Sequence, residues 1–169
     1  MAGEPGAFEA LIAELERPLF YYLQQIAGDR DVALELLQET WVLALRKFKS
    51  LKDPASVRAW LYALAHGIAI DHIRRKQTRA RAEEQYADAT EADVSYDFTA
   101  LDAEAIHDAL ARLSPAHREV LALHFLEDFP VAEIASIVGC PEGTVKSRIH
   151  HGKAQMRAIL SEGGYGQGK

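Results

Sequence analysis

The stretch AEIASIVGCPEGTVKSRIHHGKAQMR, residues 132–157, decides how this chain folds. Apolar residues recur at helical spacing on both sides of Gly139. Ile134 and Val138 fall on one face of a first short helix, with the small Ala135 where a second helix would cross. Gly139 suits a left-handed turn, because it carries no Cβ to clash there. Cys140 then falls at an N-cap, Pro141 at the first helical position and Glu142 in the first turn. On the second helix Val145, Ile149, Gly152, Met156 and Ile159 keep a 3.6-residue period and face a core. Thr144, Ser147, Arg148, His151 and Lys153 are left facing outward, with Lys146 and His150 towards the flanks. This is helix-turn-helix spacing. A helix about 10 to 12 Å across fits the major groove of DNA, and its N-terminal side chains reach base edges. The plainer alternative is a solvated surface helix.

A net charge of −6 argues at first against a nucleic-acid partner. The distribution of that charge argues the other way. Residues 1–45 carry eight acids against Arg17 and Arg30, and residues 46–81 carry ten Lys or Arg against Asp53 and Asp71. Residues 82–108 then carry nine acids and no Lys or Arg. Fields are screened over about 10 Å at ordinary ionic strength, so a basic block acts locally.

The rest of the chain also reads as helix. Phe8, Leu11, Ile12, Leu15 and Leu19 keep i, i+3, i+4 spacing, and Tyr22, Leu23 and Ile26 continue it past Pro18 to a C-cap at Gly28. A second helix runs from Asp31 to Lys47 with Leu37, Trp41, Ala44 and Leu45 on one side. Asp53 and Pro54 read as an N-cap and first helical position. The helix they open carries Val57, Trp60, Leu61, Leu64 and Ile68 and ends in Arg74, Arg75 and Lys76, where cations suit the helix dipole. Residues 82–104 lack an apolar period and read as an acidic flexible linker. Helical patterning resumes with Ile106, Leu110 and Leu113, and Ser114-Pro115 opens a helix through Val120, Leu121, Leu123 and Phe125. The expected architecture is all-α: two small helical domains, residues 1–81 and 105–160, joined by that linker, with a disordered tail at 161–169. The second domain contains the helix-turn-helix.

At 49% hydrophobic residues the chain can bury a core. One cysteine, Cys140, forms no internal disulfide, which fits a reducing compartment. No apolar run reaches the roughly 20 residues needed to span a bilayer, and no signal peptide is evident. A soluble cytoplasmic protein without membrane insertion is expected.

LSPAHREVLALHFLEDFPVAEIASIVGCPEGTVKSRIHHGKAQMR resembles region four of the extracytoplasmic-function sigma factors, the compact branch of the bacterial sigma-seventy family. GDRDVALELLQETWVLALR resembles the region-two helix with which that family grips RNA polymerase, and RAWLYALAHGIAIDHIRRK resembles its promoter-melting helix. The two matches stand in family order with a linker between them. The resemblance implies an alternative sigma factor that binds core polymerase at the β′ clamp and β flap, recognises promoter DNA, helps open it, and answers to an anti-sigma factor. It assigns the clamp contact to Glu35, Gln38, Glu39, Trp41 and Arg46. It assigns the minus-ten element to His66, Gly67, Asp71, His72, Arg74, Arg75 and Lys76, and the minus-thirty-five element to Thr144, Lys146, Ser147, Arg148, His150, His151 and Lys153. Relatives often carry Arg-Asn at His66-Gly67 and more arginine at His150, His151 and Gly152, so both reading surfaces depart from the family pattern here.

Seven histidines invite a metal reading, but HExxH and CxxC spacings are missing. GxSxG, P-loop and dinucleotide fingerprints are missing too. No metal, cofactor or catalytic residue is expected, and the chain is not expected to be an enzyme. A stand-alone helix-turn-helix regulator remains the alternative, although such a protein has no use for the LLQETW helix. A purely protein-binding adaptor would lack the basic reading helix.

Overall fold

The computed structural model describes residues 6–48, 51, 53, 56–83, 106 and 108–162, with backbone alone at 79–83. Every regular element among them is helical, as the all-α expectation requires. The chain divides into two compact units, residues 1–94 and 95–169. The acidic segment 84–105, Pro54 and the residues after Glu162 lie outside the described residues.

The first unit packs three helices against one another: α1 (Ala7–Ala27), α2 (Arg30–Lys47) and α3 (Val57–Glu83). Pro18 lies inside α1, where it lacks an N–H to donate, and the helix continues through it. Gly28 ends the helix in a left-handed conformation (φ 70°) and donates its N–H to the Gln24 carbonyl. Asp29 starts α2, its side chain accepting from the Val32 N–H at 2.9 Å. The core is made of Leu15, Leu19, Tyr22 and Leu23 from α1, Ala33, Leu36, Leu37 and Ala44 from α2, and Leu61, Tyr62, Ala65 and Ala69 from α3. The Tyr22 and Tyr62 rings meet with centroids 5.1 Å apart. Each fully buried leucine contributes about 1.5–3 kcal/mol.

Three sequence expectations for this unit change. Leu45 is not a core residue; it is 60% exposed. The buried row of α3 is Leu61, Tyr62, Ala65 and Ala69, whereas Val57, Trp60, Leu64 and Ile68 are half-buried. Small alanines win the interior because they let α3 approach its neighbours closely. Finally, α3 does not stop at Lys76 but runs to Glu83, since the residues after Lys76 include no glycine or proline to break it.

In the second unit a helical stretch at residues 108–111 leads to α4 (Pro115–Leu121), a π-helical turn (Ala122–Leu126), α5 (Val131–Val138) and α6 (Glu142–Glu162). Ser114 caps α4 by accepting from the His117 N–H, with Pro115 at its start. In the π turn the Glu127 N–H reaches back five residues to the Ala122 carbonyl. The extra residue rotates Phe125 outward, to 55% exposure, and Leu126 with it. Phe125 is therefore not the core residue its spacing suggests. On α5 the buried pair is Ile134 and Ile137, with Val138 half-buried. Leu110, Leu113 and Leu121 form a cluster against which Ile149, Met156 and Ile159 of α6 pack.

Candidate polymerase and nucleic-acid interfaces

Gly139 makes the turn between α5 and α6 in the left-handed region (φ 66°, ψ 37°). Its N–H and that of Cys140 both reach the Ala135 carbonyl, which satisfies the end of α5. The Pro141 carbonyl accepts from the N–H groups of Thr144 and Val145. Helix α6 accordingly begins at Glu142, one position later than the sequence suggests. Val145 and Gly152 are buried on its inner side. A Cβ at Gly152 would stand 3.0 Å from Leu121 Cδ1 and 3.3 Å from His117 Cβ, so the backbone of α6 packs there directly on side chains of α4.

The candidate DNA-reading residues of α6 do not form one face. Two rows, each spaced i, i+4, i+7, i+11, run along opposite flanks of its core side. Thr144, Arg148, His151 and Gln155 make the first, on the flank next to α4. His117 Nδ1 of α4 lies 2.9 Å from Gln155 Oε1, and the His117 and His151 rings are 6.4 Å apart. Arg148 Nη1 reaches Cys140 Sγ at 3.9 Å. Lys146, His150, Lys153 and Arg157 make the second row, which faces a groove shared with His124 and Val131. Lys146 Nζ pairs with Glu142 at 3.6 Å, and Lys153 Nζ stands 5.5 Å over the Phe125 ring. Ser147 lies on the outward face between the rows, 3.3 Å from His151 Nδ1. Thr144 and Arg148 are half-buried; Lys146, Ser147, His150, His151 and Lys153 are exposed. Sequence reasoning groups Lys153 with Arg148, counts Arg157 in the basic cluster of the helix without assigning it a contact, and gives His124 no part. The i, i+4, i+7, i+11 spacing of Lys146, His150, Lys153 and Arg157 was the available signal.

In the first unit Glu35, Gln38, Glu39 and Arg46 are exposed on α2. Trp41 is half-buried, its ring edge-on to Phe8 at 5.9 Å and its indole N–H without a partner. Leu34, Gln38, Trp41 and Leu45 form one row at i, i+4, i+7, i+11, with Val42 beside it. Leu34, Val42 and Leu45 are exposed. Sequence reasoning names Gln38 and Trp41 of this row but misses Leu34 and Val42 and groups Leu45 with Leu37 and Ala44, because spacing alone cannot tell a residue that packs within the chain from one that faces outward.

On α3 the candidate set spreads around the helix. Gly67, Asp71 and Arg74 share the side opposite the core, and Arg74 Nη1 lies 3.9 Å from Asp71. Arg75 donates to the Asp71 carbonyl at 3.2 Å. His72 and Lys76 instead continue the row Leu61, Ala65, Ala69 beyond the buried part of the helix. His66 and His72 are half-buried and the rest exposed. Nothing lies within 4 Å of a Cβ placed at Gly67. Among the described residues no helix is long and apolar enough to cross a membrane, and no three His, Cys, Asp or Glu converge as a metal site would need.

Residues 11–79 match the family described as Sigma-70 region 2, and residues 103–156 match Sigma-70, region 4. The chain is 33% identical over 164 residues to the ECF RNA polymerase sigma factor SigL of Mycobacterium tuberculosis, covering 95% of this chain and 93% of SigL. It is 30% identical to the ECF RNA polymerase sigma factor BldN of Streptomyces coelicolor, covering 95% of this chain and 63% of BldN. In fold it is similar to the sigma factor RpoE solved with the anti-sigma factor NepR from Bartonella quintana. That match has a TM-score of 0.82 at 22% identity, covering 93% of this chain and 98% of RpoE. With both regions present in family order and a full-length relative at this identity, the chain belongs to the extracytoplasmic-function sigma factors of the sigma-70 family and is an alternative sigma factor.

Proposed function

We propose that α2 is the surface that grips core RNA polymerase, with Glu35, Gln38, Glu39, Trp41 and Arg46 contacting the β′ clamp. The observation that carries this is the row of Leu34, Gln38, Trp41 and Leu45, in which Trp41 is half-buried and the other three are exposed. Apolar anchors ringed by polar residues are the usual anatomy of a protein interface, and a stand-alone DNA-binding regulator needs no such row. The second unit meets the β flap, and its α6 reads the minus-thirty-five element. The residues from His66 to Lys76 on α3 handle the minus-ten element. The protein acts in the bacterial cytoplasm as an initiation factor without catalysis of its own. An anti-sigma factor controls it, in keeping with the complex in which RpoE was solved.

The test mixes the chain with core polymerase and follows co-migration and run-off transcription. Leu45→Glu should leave the circular dichroism spectrum unchanged, since the side chain is already mostly in solvent. It should weaken polymerase binding at least tenfold, about 1.4 kcal/mol, in competition against another sigma factor. A folded wild-type chain that neither co-migrates nor supports transcription would sink this reading.

A further inference from the structure

Three cations, Lys146, Lys153 and Arg157, with His150 among them, stand on one flank of α6, more than a base-reading helix requires. Lys146, His150, Lys153 and Arg157 span eleven residues, about 16 Å of helix axis at 1.5 Å per residue. One strand of B-DNA carries a charge about every 3.4 Å along the duplex axis and winds about that axis as it goes, so a straight row of this length can follow a few successive phosphates before the strand turns away. The groove beside it, about 380 Å³ in volume, is lined in addition by the apolar Val131, Ile149 and Ala154 and by His124. No carboxylate lines it. The nearest described acid on α6, Glu142, is already engaged with Lys146.

From this placement we infer that the groove is a track for one phosphate strand of the promoter. In this arrangement Lys146, His150, Lys153 and Arg157 contact backbone, while Thr144, Ser147, Arg148 and His151 read base edges. The inference rests on α6 entering promoter DNA, the function proposed for it, and adds which flank does which work. It also accounts for an exposed aromatic ring. Phe125 is rotated out by the π turn and lies under the Lys153 ammonium, so it acts as a positioning residue that aims this charge along the groove. Glu142 acts in the opposite direction, by neutralising the first cation of the row.

Phosphate contacts and base contacts leave different signatures. Reconstituted holoenzyme is titrated with promoter fragments carrying matched or altered minus-thirty-five elements, across 50 to 200 mM salt. Lys153→Gln and Arg157→Gln should weaken all fragments alike and flatten the salt slope by about one each. The affinity lost across that fourfold salt range then shrinks about threefold per cation removed. Arg157→Lys should restore the slope, Phe125→Ala should reproduce part of the Lys153 effect, and Glu142→Gln should tighten every fragment. Arg148→Ala should relax preference at one position instead. Three results would overturn the track: unchanged slopes in Lys153→Gln and Arg157→Gln, losses confined to one base pair, or losses in core-polymerase affinity that mark an acidic protein as the occupant. If Arg148→Ala is silent as well, α6 does not read the promoter, and the functional assignment of the helix fails with the track.

Discussion

Helices α3 and α6 each carry an interior glycine directly after a histidine, Gly67 after His66 and Gly152 after His151, and the two glycines do opposite things. Gly152 is buried where α6 crosses α4, with Leu121 at 3.0 Å and His117 at 3.3 Å from a Cβ built on it. Gly67 has nothing within 4 Å. The helices differ in the same way along their length. Helix α6 is held at Val145, at Gly152, through Gln155 to His117, and at its end by the ion pair Arg112–Glu162 at 3.1 Å. Helix α3 is buried only as far as Ala69, and none of residues 70–78 is buried. A helix that reads bases must present side chains within about half an ångström of a fixed geometry, and α6 has the supports for that. The exposed length of α3 is shaped by its own sequence and by whatever it binds.

The strongest way to break the comparison is to remove the supports of α6. Arg118 donates from Nε to the Leu110 carbonyl at 2.9 Å and from Nη2 to the Leu113 carbonyl at 3.0 Å, and it also reaches the Ala111 carbonyl. It thereby ties the end of the 108–111 stretch to α4, on which α6 packs. Burial lowers the pKa of this guanidinium by desolvation, yet an arginine side chain stays charged in a protein. Arg118→Met should cost the second unit about 3 kcal/mol or more, because it strands carbonyls that a charged fork satisfied. Arg118→Lys should recover only part of this, since a single ammonium cannot reproduce the fork. Both tryptophans, Trp41 and Trp60, lie in the first unit. Their fluorescence melting should stay put while far-UV circular dichroism loses its second-unit component. A shift of both signals together would mean the units are not independent.

The glycine pair gives the next effect. Gly152→Ala forces a methyl against Leu121, which is 2% exposed and has little room to retreat. Overpacking costs about 1–3 kcal/mol and outweighs the roughly 1 kcal/mol of helix propensity gained. Shortening the partner in the double variant Gly152→Ala/Leu121→Val should recover part of the loss. The same substitution at Gly67 meets open space, so Gly67→Ala should stabilise the first unit by up to about 1 kcal/mol, read as a higher tryptophan melting temperature. Gly67→Asn then adds a side chain where relatives have one, and should alter minus-ten preference without unfolding anything. Equal signs for the two alanine variants would remove the contrast between the helices.

These residues also show why some features were legible in the sequence and others were not. The turn at Gly139, the start of α4 at Ser114-Pro115 and the inner row Val145, Ile149, Gly152 were readable because they obey local rules of caps and period. The end of α3 was misplaced because Arg74, Arg75 and Lys76 resemble a helix terminus that suits the dipole, while only a residue that breaks the helix would end it. Phe125 was misread because a π turn shifts the register by one residue, and no local spacing announces that shift. The outward side of α6 was legible as a set. Its division into two rows was not, because that depends on what stands on each flank: His117 from α4 on one and His124 with Phe125 from the π turn on the other. Leu34, Val42 and Leu45 were hidden for a related reason, since an apolar residue awaiting another protein has the same periodicity as one in the core.

The smallest effect lies at the turn that sets the second of those flanks. Two left-handed positions bracket α5: Gly139 after it and Asp128 before it. Asp128, with φ 53°, is the one non-glycine residue at positive φ among those described. It follows the π turn, whose exit is fastened by the Phe129 N–H donating to the Leu123 carbonyl at 3.0 Å. An L-residue in this conformation costs about 1 kcal/mol, less for aspartate and asparagine than for others. Asp128→Gly should relieve that cost, offset by the greater freedom of glycine in the unfolded chain. The expected net is a gain of no more than about 0.5 kcal/mol, with Asp128→Asn close to neutral. Asp128→Val should lose about 1–2 kcal/mol, since a β-branched residue tolerates the conformation worst. If Asp128→Gly instead destabilises the second unit, the carboxylate holds the turn by a contact worth more than the strain. Salt dependence of promoter binding then decides what the turn is for. Because Asp128 sits between the π turn that presents His124 and Phe125 and the helix that presents Val131, loosening it should flatten the slope slightly even where stability is unchanged. An unaltered slope would show that the groove wall is held by Phe129 and the π turn alone.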